Sequence, residues 1–134
     1  MEAELQMWEI FQTARGANAT FVLAIVIGVW IAARFASVAV EKGVNVVGKL
    51  IISVFAVCGF LFGWRVLATA ENIFVVQAKA LEALPEKSQL AQTFIEGYNQ
   101  EAFITNPNMI GMAYLIAGLL IALVPLWFSG SKDN

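Results

Sequence analysis

The residue types that carry most enzymatic and metal chemistry are nearly missing from this chain: of 134 residues none is histidine, and Cys58 is the one cysteine. Zinc sites, histidine-ligated haem, a Ser-His-Asp triad and cysteine nucleophiles all need those side chains, so the chain alone cannot assemble any of them. An active site shared with another chain survives as one reading, a membrane-enzyme subunit. Met109 and Met112 stand at i, i+3 and offer thioethers of the kind copper(I) takes. Without a third soft donor, packing is the better account of them. Glu96 and Glu101 have carboxylates for protons or cations, but glutamates scattered on amphipathic segments read as a solvated face. No cofactor and no metal are expected. No glycine-rich phosphate loop follows a strand, because no stretch reads as a strand.

The remaining chemistry lies in the charges that interrupt apolar segments. Arg34 sits inside the end of one such segment and Arg65 near the end of the next. A charge at membrane depth is costly unless it snorkels to the surface or finds a partner. On antiparallel helices these two point toward opposite faces and cannot share an ion path. Together with Lys49, Trp8, Trp64 and Trp127 they are expected as anchors at the membrane interfaces. No Asp or Glu falls inside an apolar segment, which argues against a proton pump or coupled transporter.

The elements that must hold these residues follow from composition. The chain is 60% hydrophobic and 13% charged, with a mean hydropathy of +0.75. A soluble domain carries about 25% charge. The expected fold class is an all-α membrane protein, one unit over residues 1–134. A first span is placed at 18–40, uncharged from Gly16 to Ala33; a second at 46–69, uncharged from Leu50 to Trp64; and a third at 107–128. For the third, Asn106 is the expected cap, Pro107 the first helical residue, and Ser129-Gly130 the end. Pro125 falls in its last turn, where it can bend the helix. Asn18 and Thr20 are candidate caps for the first span and part of an Asn-Ala-Thr sequon that is discounted so close to the membrane. A signal peptide is not expected, because Glu2, Glu4 and Glu9 against Arg15 reverse the charge of a basic leader.

Residues 2–14 place Leu5, Trp8 and Phe11 on one stripe and predict a short amphipathic helix lying at the interface, or packed on a partner. Residues 70–106 predict two short amphipathic helices. The first carries Ile73, Gln77, Ala80, Leu81 and Leu84 and extends the second span; Pro85 interrupts; the second carries Leu90, Phe94 and Tyr98 and stops at Gly97. Residues 129–134 form a tail. Arg34, Lys42 and Lys49 cluster about the short loop, which puts that loop in the cytoplasm, the N-terminus and the 70–106 loop outside, and the C-terminus with Lys132 inside. The expected location is a cell membrane of the bacterial inner-membrane type. Cys58, in an apolar run, is expected to be buried.

Small residues give the strongest pattern. Ala24, Gly28, Ala32 and Ala36 recur every four residues in the first span, Gly59 and Gly63 in the second, and Gly118 and Ala122 in the third. Such faces let helix backbones approach closely, which is what drives association in lipid. The leading functional expectation is therefore a small non-catalytic accessory or structural subunit of a multi-subunit membrane complex, of respiratory, monooxygenase or photosynthetic kind. Its partners are other integral membrane subunits and the lipid bilayer. A net charge of -2 offers no surface to nucleic acid. The competing reading is a homo-oligomeric channel or small-solute carrier, which needs a polar stripe that Ser53 and Tyr114 alone do not make. A pigment or quinone between Phe21, Trp30, Phe35, Phe55, Phe60, Phe62 and Trp64 lacks an axial ligand, so lipid contact is the safer account of those rings.

Overall fold

The structure, a computed structural model, describes residues 2–129. Gly130 and Lys132, which figured in the expected helix end and the charge balance, lie outside the described residues. The described chain is all helical: α1 (Glu2–Glu41), α2 (Val46–Glu82), α3 (Gln89–Tyr98) and α4 (Met109–Phe128). Helices α1, α2 and α4 are each long and apolar enough to cross a membrane.

A tight turn joins α1 to α2. Gly43 takes a left-handed φ of 61°. Val44 N–H donates to Ala39 O at 3.0 Å and Gly43 N–H to Val40 O at 3.3 Å, the paired bonds of a Schellman stop. Asn45 then caps α2 by accepting from Gly48 N–H at 3.0 Å. The result is an antiparallel hairpin, against which α4 packs through both partners.

The predicted break between an interfacial helix and the first span does not occur. Residues 2–41 form one helix, with Asn18 and Thr20 in its interior and the Thr20 hydroxyl bonded back to Gly16 O. Alanine and arginine around Gly16 are good helix formers, and Phe11, packed against Phe74 at 5.4 Å, gains by continuing the α1–α2 contact upward. Helix α2 does continue past residue 69, in line with the reading that the first amphipathic stretch extends the second span, and runs to Glu82, ending before Pro85. Helix α4 begins two residues later than expected. Asn108, not Asn106, is the cap, accepting from Gly111 N–H at 2.8 Å, and Pro107 is buried before the helix starts.

The molecule thus has two parts. A three-helix bundle has a core of Ala32, Ala36, Ala39, Ala56, Ala122 and Leu126. Above it stands a head made from the first turns of α1, the last turns of α2, and α3. In the head Trp8, Phe11, Phe74, Phe94 and Tyr98 form a continuous set of ring contacts with centroids 4.8–6.4 Å apart. Arg15 lies 5.8 Å from both the Phe11 and the Phe74 ring centroids. The segment between α3 and α4 is clamped along α2: the Asn72 carboxamide bonds both N–H and C=O of Ile104 at 2.7 Å, Glu71 accepts from Asn108 N–H, and Lys79 donates to Glu101 O.

Candidate interhelical site

The small-residue positions divide sharply. Ala32, Ala36, Gly63, Gly118 and Ala122 are buried inside the bundle, whereas Ala24 and Gly59 are exposed and Gly28 is half-buried. Helical geometry explains the division. Each step of four residues advances about 40° beyond a full turn, so three steps carry the face about 120° around the helix. The lower members of the α1 series face α2 and α4, and the upper members turn away.

The buried members are spacers. A Cβ at Gly118 would lie 2.8 Å from Val29 Cγ1, and one at Gly63 would lie 2.6 Å from Leu115 Cδ2. Close backbone approach is therefore used within the chain at those two points. At Gly28 and Gly59 a Cβ would meet nothing within 4 Å. These two glycines, with Ala32, Phe55, Phe60 and Leu115, line an apolar crevice of about 50 Å³ between the helices. That volume suits one aliphatic side chain, and its apolar walls give water no partners.

The expected anchors occupy different settings. Trp127 Nε1–H donates to Ser53 Oγ at 2.9 Å, and Lys49 Nζ stands 5.8 Å from the Trp127 ring centroid, so α2 and α4 are joined at the end away from the head. Trp64 is half-buried against Phe60. Trp8 packs edge-on against Phe94 in the head. Arg34 and Arg65 are both exposed. Cys58 is exposed rather than buried: it lies roughly 200° around α2 from the core residue Ala56. An apolar run in a membrane helix need not bury its thiol in protein, since lipid serves equally well.

Met109 is exposed and Met112 half-buried at the head end of α4; Glu96 and Glu101 are exposed. Among the described residues no three His, Cys, Asp or Glu side chains gather as a metal site.

The polar centre that sequence reasoning missed is Glu4. The residue is largely covered, and its carboxylate accepts from Ser88 Oγ at 2.5 Å, Ser88 N–H at 3.0 Å and Trp8 Nε1–H at 3.2 Å. The Ser88 hydroxyl bond foremost, then the Ser88 backbone N–H and, to a smaller degree, the Trp8 indole hold the Glu4 carboxyl below its ordinary value. Ser88 also caps α3, accepting from Ala91 N–H, so one carboxylate ties the start of α1 to the start of α3. A Ser-Gln-Leu-Ala opening after Pro85 signals the cap, but nothing local signals a partner in the first turn of α1. Comparison with known proteins finds no matching family model, no matching curated sequence and no matching solved structure.

Proposed function

We propose that this chain is a small non-catalytic subunit of a larger membrane assembly, crossing the bilayer three times with the head outside and the α1–α2 turn in the cytoplasm. The observation that carries this reading is the open pair Gly28 and Gly59, whose small surfaces are not filled by the chain's own side chains. Between helices in lipid there is no hydrophobic gain to drive association, so close approach and dispersion contacts supply the affinity. An aliphatic side chain from a partner's helix fits the crevice in size and polarity. The nearly absent catalytic side-chain inventory supports an accessory role, and the charge distribution about the short turn supports the orientation.

The open glycines make a cleaner test than the buried ones. Gly28→Leu and Gly59→Leu should leave the chain folded yet reduce its recovery with partner chains in native purification, while Val57→Leu should not. Unchanged recovery with both glycine variants would sink the subunit reading, and migration as a ring of identical chains would favour the channel. Orientation is read by impermeant thiol labelling in a Cys58→Ala background: a cysteine placed at residue 88 should react in intact cells and one at residue 43 should not.

A further inference from the structure

A second surface feature is chemically unlike the crevice. Toward the head, α1 and α2 flank an open groove of about 330 Å³ lined by Asn18, Phe21, Phe62, Arg65, Val66 and Thr69. Each wall carries both apolar and polar side chains: Asn18 and Phe21 from α1, and Phe62, Arg65, Val66 and Thr69 from one face of α2. None of the three polar side chains has a hydrogen-bond or carboxylate partner among the described residues. Arg15 is seated on Phe11 and Phe74, Lys49 on Trp127, and Lys79 on Phe103 and Glu101 O, whereas Arg34 and Lys42, toward the opposite end of the bundle, are like Arg65 without such a contact among the described residues. The nearby carboxylate of Glu71 is engaged with Asn108 N–H.

Depth sharpens the point. Phe11 packs on Phe74, and Gly63 lies level with Ile25, so Arg65 stands about two turns, roughly 10 Å, nearer the middle of the bundle than Arg15. A guanidinium there must either extend its stem toward the surface or be met by an anion, and the open groove gives an anion room beside it. Guanidinium and phosphate match in a bidentate geometry, and basic pockets between membrane helices are suited to anionic headgroups.

We propose that this groove binds one anionic phospholipid, its phosphodiester held by Arg65 with Asn18 and Thr69 donating, and an acyl chain lying along Phe21, Phe62 and Val66. The lipid's net negative charge matters because a choline headgroup would bring a second cation beside Arg65. This inference is independent of the partner helix at the crevice.

Native mass spectrometry of the purified full chain, exchanged into detergent with phosphatidylglycerol and phosphatidylcholine, tests it. One retained phosphatidylglycerol is expected on the parent. Arg65→Gln should lower that retention about tenfold, the scale of one lost charge-assisted contact. Arg34→Gln, at the far end of the bundle, should leave it unchanged. The Asn18→Leu/Thr69→Val pair should weaken it on a chain that keeps Arg65, which preserves the test should Arg65→Gln fail to fold. Equal retention of phosphatidylcholine, or phosphatidylglycerol retention indifferent to Arg65→Gln and to the Asn18/Thr69 pair, would overturn the proposal. Displacement of the lipid by inorganic phosphate would overturn it too, by making the site one for a small anion.

Discussion

The head and the bundle are held together by opposite means. The head relies on large rings and directed bonds: five aromatics in contact, a carboxylate with three donors, a carboxamide pairing both groups of one peptide. The bundle relies on smallness: five of the six core residues that cluster at its far end are alanine, and glycines on α2 and α4 admit neighbouring side chains to van der Waals contact. In water, burying large apolar surface stabilises, and the head's packing is of the kind that rule favours. Between helices in lipid the same surface gains little by leaving the solvent, so the backbones must come close. One chain thus uses two packing strategies, and the proposed placement puts each in the solvent that suits it.

That contrast can be broken first in the head. Phe11 is buried at the centre of the ring cluster, and Phe11→Ala should cost about 3–5 kcal/mol of head stability, the range for large-to-small core changes. Amide hydrogen exchange should accelerate across α3 and stay slow in α4; acceleration in both would mean that head and bundle are one cooperative unit.

The bundle should fail by the opposite substitution. Gly118→Leu drives bulk into Val29 and should destabilise by about 1–3 kcal/mol, read as a lower melting temperature in detergent, whereas the same change at Gly28 should leave melting unaltered. Equal losses at both positions would erase the distinction between closed and open glycines.

A gentler perturbation uses acid. Glu4 has its pKa lowered from 4.5 in the folded chain, so its tie to Ser88 contributes fully above that value and is lost as pH falls through the lower folded-state value. Acidification below about pH 4.5 should release α3 from α1 before the bundle melts, and Trp8 fluorescence should report the loss. Glu4→Gln should flatten that transition.

The smallest effect concerns Gln77. Its Nε2 is buried and has no hydrogen-bond partner among the described residues, a donor whose desolvation is not offset. Gln77→Leu should be neutral or raise the melting temperature slightly. A clear fall would reveal a bonding role for that amide.

How much of this was legible in the sequence depends on how local the cause is. Three membrane-length helices follow from uncharged runs that any window detects, and α3 follows from the stripe Leu90, Phe94 and Tyr98 with a proline before it. The start of α2 at Val46 was also legible. The continuity of α1 through Gly16 was not, because its reason is the contact of Phe11 with Phe74, far along the chain. Asn108 displaced Asn106 as the cap while its backbone N–H is held by Glu71, again a distant partner. The small-residue series was visible, but which members turn inward depends on the slow rotation of a four-residue repeat about the axis. The groove at Arg65 has no sequence signature, since Asn18 and Thr69 meet it only once the hairpin forms.

The unbroken run of α1 from the head to the Gly43 turn has a mechanical consequence. Forty residues of helix make a rod of roughly 60 Å, twice the apolar thickness of a bilayer. On the proposed placement of the head outside the bilayer, half of that length is a lever arm, and α2 runs beside it as a second strut. Helices accommodate a thinner bilayer by tilting, and a tilt of about 10° about the turn swings the far end by about 10 Å. On that placement, changes in the lipid would carry the head sideways across the surface, its own fold undisturbed.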